Sequence, residues 1–275
     1  MTFSELSLFI RKQQSFLCVG LDTDTRKIPS HLLSEKNPCL AFNKAIIDAT
    51  APYCVSFKPN TAFYEAMGIQ GWETLHETIN YISTNYPQHF IIADAKRGDI
   101  GNTSTMYAEA FFNRLCADAV TIAPYMGSDS VQPFLAFENK WAIVLGLTSN
   151  QAAFDFQLKG NPELYKEVLK EVSSWGTKEN MMFVIGATKA AMLAEVRKII
   201  PEHFLLVPGV GAQGGSLQEV AKYGMTKDCG LLVNASRSII YAGNGIDFYL
   251  RAADEAKAMQ QEMTILISEL ADSDD

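Results

Sequence analysis

Short apolar, β-rich runs recur along the chain and alternate with stretches of helical spacing. The runs lie at 16–21, 53–57, 90–93, 119–123, 141–147, 181–186, 204–208 and 230–234. They are apolar on both faces, as strands of a parallel sheet covered by helices must be. Helices are predicted at 39–50, 71–85, around 106–112, and at 129–137, 163–172, 189–200 and 246–270. For the helix at 163–172, Asn161 is the expected cap and Pro162 the first position. Phe3, Leu6, Phe9 and Ile10 are spaced for a short amphipathic helix within 1–14. A long connection broken by Pro29 and Pro38 separates the first two strands, and the acidic end 272–275 is expected to fray. Eight strands alternating with helices, without an evident linker, predict an α/β chain folded as one (β/α)₈ (TIM) barrel domain over residues 1–275. That domain carries a short N-terminal and a long C-terminal helix. A doubly wound open sheet is the competing architecture.

Composition narrows the partners more than the fold. The 275 residues are 48% hydrophobic and 20% charged, ordinary for a folded soluble chain. A net charge of −8 argues against broad nucleic-acid or anionic-membrane binding, but a local basic cluster still suits an anionic small molecule. No run approaches a membrane span, and the start lacks the form of a signal peptide. Cys18, Cys39, Cys54, Cys116 and Cys229 lie far apart, the pattern of reduced thiols in a cytoplasmic protein. His31, His76, His89 and His203 show no paired spacing, so no histidine metal site is expected.

Chemistry concentrates after the third run, in Asp94-Ala95-Lys96-Arg97-Gly98-Asp99. Side chains alternate along a strand, which places Asp94 and Lys96 on one side. Taken alone the hexapeptide reads as a solvated ion pair at a turn. Other apolar runs end the same way, however, in Asp22, Lys58, Thr148-Ser149-Asn150, Gln213 and Arg237. Turns favour Gly, Pro, Asn, Asp and Ser rather than Lys and Arg, so a barrel would gather these groups on one rim as a site. Residues 209–215, Gly-Val-Gly-Ala-Gln-Gly-Gly, sit between a strand and a helix and offer backbone N–H groups to an anion; Arg237 adds a planar fork. Residues 209–214 also spell G-x-G-x-x-G, but in the seventh unit and without the acidic residue after the next strand. The loop therefore reads as a mononucleotide or sugar-phosphate cradle, with NAD binding as the alternative.

Together these pieces resemble the orotidine 5′-phosphate decarboxylase family, in its longer bacterial branch (type 2). They are Val19-Gly20-Leu21-Asp22, Phe57-Lys58-Pro59-Asn60, Asp94-x-Lys96-x-x-Asp99-Ile100, the 209–215 loop and Ser236-Arg237-Ser238. The resemblance implies decarboxylation of orotidine 5′-phosphate (OMP) to UMP, with Lys96 protonating C6 and neither metal nor organic cofactor. It implies that Asp94 lies beside the departing carboxylate, and that Lys58 joins the charge network. Asp99 would enter the partner's site in a homodimer. Asp22 and Thr103 would contact the ribose, Ser149 the pyrimidine, and Gln213 with Gly214 and Arg237 the phosphate. Shorter members often have proline where this chain has Gly101-Asn102. Arg97 is left out of the chemistry. A related barrel acting on a sugar phosphate with Mg²⁺ is a second reading, and a non-catalytic nucleotide binder a third. Lys58 speaks against the Mg²⁺ reading, because a metal there would want a carboxylate.

Overall fold

The computed structural model describes residues 1–210 and 215–272. Its eight strands are β1 Leu17–Leu21, β2 Ser56–Pro59, β3 Phe90–Arg97, β4 Ala119–Ile122, β5 Trp141–Leu147, β6 Met181–Ile185, β7 Phe204–Pro208 and β8 Leu231–Ala235. Each pairs in parallel with the next, and β8 returns to β1 through Leu17↔Val233, Cys18↔Asn234 and Val19↔Ala235. That last pairing closes the barrel and rules out the open sheet, since no edge strand is left unpaired. Strand residues are buried on both faces, as their unbroken apolar runs require.

The helices, in chain order, are α1 Phe3–Gln13, α2 Pro38–Thr50, α3 Thr61–Glu65, α4 Ile69–Asn85, α5 Gly101–Glu109 and α6 Gln132–Leu135. They continue with α7 Leu164–Ser173, α8 Leu193–Ile199, α9 Leu217–Gly224, α10 Arg237–Ile240 and α11 Phe248–Asp272. None of the described helices is long and apolar enough to cross a membrane. α1 starts with a capping box: Glu5 N–H donates to Thr2 Oγ1, and the Glu5 carboxylate accepts from Thr2 N–H at 2.7 Å. Its apolar stripe plugs the amino end of the barrel, with Phe3 against the rings of Trp141 and Phe204, which open β5 and β7. The opposite, carboxyl end is thereby left for ligands. All five cysteines are free, and Cys116 alone of them is exposed.

Several boundaries differ from the pattern-based expectation. β2 starts at Ser56 because Ala51–Tyr53 form a 3₁₀ turn, so Lys58 lies inside the strand. α7 begins at Leu164 with Glu163 at its cap, not with Asn161 and Pro162. Gly160 bridges Glu163, and this tight turn absorbs the Asn-Pro pair before the helix starts. The predicted helices at 129–137 and 189–200 each split into a 3₁₀ turn and a shorter α-helix. β3 runs four residues past its apolar segment, through Arg97, because a register shift against β4 between Ala93 and Arg97 carries the chain onward.

Candidate active site

Neighbouring parallel strands bring four charged groups into one row. β1 and β2 pair with Leu21 opposite Pro59, which sets Asp22 and Lys58 side by side at the rim. An isolated bridge between Asn60 and Asp94 brings β3 alongside β2. Lys58 Nζ then lies 2.7 Å from Asp94 Oδ2 and 3.9 Å from Asp22 Oδ1, while Lys96 Nζ lies 2.5 Å from Asp94 Oδ1. The charges alternate: Asp22, Lys58, Asp94, Lys96. Burial of Lys58 works against its charge, but the Asp94 and Asp22 carboxylates outweigh that and raise its pKa above the ordinary lysine range. Burial likewise works against ionised Asp94, and the Lys58 and Lys96 ammonium groups overcome it, holding the carboxyl well below the usual range. Lys58 and Asp94 are 5% and 9% exposed in their side chains, against 50% for Lys96. The row thus has a fixed buried centre and one ammonium open to an incoming ligand.

Thr121 completes the row, and sequence reasoning missed it. Its hydroxyl donates to Asp94 Oδ1 at 2.9 Å and accepts the Lys96 backbone N–H at 2.9 Å. The signal available was a lone hydroxyl within the apolar run of β4, because a buried polar group needs a partner. A second missed group flanks Asp22. Thr23 donates to Asn43 Oδ1 at 2.6 Å, Asn43 donates to Tyr64 Oη at 2.9 Å, and Tyr64 donates to the Leu21 carbonyl at 3.1 Å. Tyr241 Oη closes the other side, accepting Asp24 N–H and donating to the Asp22 carbonyl. These contacts join positions 20 to more than 200 residues apart, so no local spacing announces them.

Lys96 itself is backbone-irregular, with φ +47° in the left-handed region at the β3 bulge. The alternation of a flat strand anticipates that Asp94 and Lys96 meet, but the bulge is what delivers Lys96. Asp99 stands apart from the row: its carboxylate accepts Ile100 N–H at 2.7 Å, and it makes no ion pair among the described residues. Thr103 is exposed on the first turn of α5. Ser149 follows β5 and packs against Gly186 after β6, where an added Cβ would come within 2.7 Å of the Ser149 backbone.

Across the rim, a cleft of about 150 Å³ is lined by Asp22, Lys58, Asn60, Asp94, Pro208 to Val210 and Asn234 to Ser238. It gathers the predicted Asp22, Lys58, Asp94 and Arg237; Lys96, Asp99, Thr103 and Ser149 lie outside its lining. Gly20 lets the ends of β1 and β8 approach, since a Cβ there would sit 2.6 Å from Ser236 Cβ. Among the described residues, Asp22 Oδ1 and Ser236 Oγ are buried in lining residues without a hydrogen-bond partner; the carboxylate oxygen can accept from a ligand hydroxyl, and the Ser236 hydroxyl can donate to a phosphate oxygen. Gly209, at φ +95°, and Gly215 pinch the base of the next loop through the Val210↔Gly215 bridge. Gln213 and Gly214, predicted for phosphate, lie outside the described residues. No group of three or more His, Cys, Asp and Glu side chains suited to a metal occurs among the described residues.

The chain is similar to known proteins over nearly its whole length. Residues 15–247 match the Orotidine 5'-phosphate decarboxylase / HUMPS family. The chain is 62% identical over 272 residues to orotidine 5'-phosphate decarboxylase of Christiangramia forsetii, covering 98% of this chain and 100% of that one. It is 60% identical over 269 residues to the Flavobacterium johnsoniae protein of the same name, covering 97% and 98%. Among solved structures, Leishmania donovani OMP decarboxylase superposes with a TM-score of 0.82 at 34% identity, covering 96% of this chain and 100% of that one. Leishmania donovani UMP synthase gives 0.81 at 36% identity, covering 94% of this chain and 57% of the longer one.

Proposed function

The chain belongs to the orotidine 5′-phosphate decarboxylase / HUMPS family, and from that premise we propose that Lys96 protonates C6 of OMP as CO₂ leaves, without metal or organic cofactor. As a carboxy-lyase of this family it converts OMP to UMP in pyrimidine biosynthesis. The observation that carries the mechanism is the alternating row Asp22–Lys58–Asp94–Lys96, with its one accessible ammonium at the end. Loss of CO₂ leaves an anion in the plane of the ring. A pre-placed ammonium stabilises that anion more than it stabilises bound substrate, and then supplies the proton. Asp94 lies beside the substrate carboxylate in this pose and holds Lys96 in place at 2.5 Å. Lys58 fixes Asp94 from the other side and occupies the space between two carboxylates that a cation would otherwise bridge.

The rest of the substrate follows the rim. Asp22 and Thr103 take the ribose hydroxyls, Ser149 the pyrimidine, and Arg237 with Gln213 and Gly214 the phosphate. Binding at that remote phosphate serves to orient the base and exclude water from the reacting carbon. Purified protein is expected to consume OMP, followed by its absorbance, at the same rate with and without EDTA. Loss of activity in EDTA, restored by Mg²⁺, would move the reading to the metal-dependent sugar-phosphate enzymes.

The working unit in this reading is a homodimer of single barrel domains, each spanning residues 1–275, with Asp99 entering the partner's site. Its support is that Asp99 makes no ion pair with Lys96 of its own chain, although the two are only three positions apart. Mixing inactive Lys96→Ala and Asp99→Ala subunits is expected to restore about a quarter of wild-type activity, from the intact site in each mixed dimer. A mixture that stays inactive after subunit exchange puts Asp99 back in its own subunit.

A further inference from the structure

Arg97 is the most conspicuous charge of the hexapeptide and has no part in the row of charges. Its contacts nevertheless converge on the backbone beside Lys96. Nη1 donates to the Ala95 carbonyl at 2.9 Å, and Nη2 pairs with Glu65 at the end of α3. The guanidinium lies 5.5 Å from the ring centroids of both Tyr107 on α5 and Phe111. Phe111 belongs to a turn of π-helix, Ala110–Arg114, that continues α5. The Arg97 carbonyl accepts Ala123 N–H at 2.8 Å, fastening the strand to the end of β4. Between these fastenings sits Lys96, in a left-handed conformation that a non-glycine residue holds only when its surroundings impose it.

We infer that Arg97 is a positioning residue: tied to Glu65 and seated on Tyr107 and Phe111, it holds the β3 bulge that presents the Lys96 ammonium to Asp94. A guanidinium suits the task because one planar group bonds a carbonyl and a carboxylate together while lying over aromatic rings; a lysine cannot do all three. The effect is confined to the reacting end. The phosphate side of the cleft is built from the ends of β7 and β8, across the barrel, and among the described residues its lining shares none of the hydrogen-bond, ion-pair or ring partners given above for Arg97.

The inference rests on the decarboxylase reading, and the test separates the two. Turnover is measured for wild type, Arg97→Met and Arg97→Lys, with competent sites counted by UMP titration so that kcat is per folded site. Arg97→Met is expected to lower kcat about 10- to 100-fold, with KM and the UMP Kd within about threefold, because misplacement of about 1 Å costs that much. Arg97→Lys recovers part of the loss. A purely structural role would reduce the number of competent sites and leave kcat per site unchanged. If Arg97→Met does not fold, Glu65→Gln is expected to reproduce the same kcat-only loss at smaller size. Full kcat per site in the folded variants, or a loss confined to KM, overturns the role of Arg97 alone. Absence of turnover by the wild type overturns the decarboxylase reading, and this role with it.

Discussion

Replacing Lys96 with alanine is expected to lower kcat by about four orders of magnitude, while UMP still binds. Two separate contributions disappear together: stabilisation of the developing anion by a pre-placed cation, and the proton that ends the reaction. Binding is spared because the phosphate end of the cleft is formed by the ends of β7 and β8, away from the Lys96 side chain. Stability is largely spared too. Lys96 is half exposed, and after its removal Asp94 keeps Lys58 at 2.7 Å and the Thr121 hydroxyl at 2.9 Å. The measurement pairs saturating-substrate turnover, by OMP absorbance, with equilibrium UMP titration. Turnover within tenfold of wild type would remove Lys96 from the proton transfer.

Asp94→Asn is expected to damage both stability and catalysis, and the stability loss reveals how the site is built. The substitution leaves the Lys58 ammonium, 5% exposed, with only Asp22 Oδ1 at 3.9 Å to balance it. Breaking a buried pair by deleting one partner costs about 3–5 kcal/mol, a Tm drop of roughly 10 °C in a chain of this size. Adding Lys58→Met to Asp94→Asn should recover most of that Tm without restoring turnover, since the uncompensated charge goes but the chemistry does not return. Acid adds a second readout. The folded-state pKa of Asp94 is depressed: burial raises it, but Lys58 and Lys96 outweigh burial. Its stabilisation is therefore fully present above the ordinary carboxylate pKa of about 3.9 and is lost as pH falls through the lower native value. Wild type should accordingly lose stability more steeply below about pH 4 than the double variant. Equal slopes, or a double variant no more stable than Asp94→Asn, would show that the pair is not the source of the loss.

Much of this molecule was legible in the chain itself, for local reasons. A strand buried on both faces must be a short apolar run, so all eight strands show as such runs, most within a residue or two of their observed ends. A charged residue within a few positions of the end of such a run must reach solvent or a partner, so Asp22, Lys58, Asp94, Lys96 and Arg237 stand out at once. The capping box of α1 and its apolar stripe are equally local. What failed locally failed where a turn replaced regular structure, as at Ala51–Tyr53 before β2 and at Gly160 before α7.

The sequence by itself determined the strand count, the helical periodicity and the set of charged groups at the rim, because each is written in residues close together along the chain. Only the tertiary structure decided that β8 meets β1, that Thr121 and Asn43 support the charged groups, and that Lys96 reaches Asp94 through a bulge held beside Arg97. The physical reason is one of distance along the chain. Closure and buried polar pairing depend on partners about 20 to more than 200 positions away, the hold on Lys96 draws on Thr121 and Glu65 as well as on its neighbours, and local propensity carries no record of these distant partners.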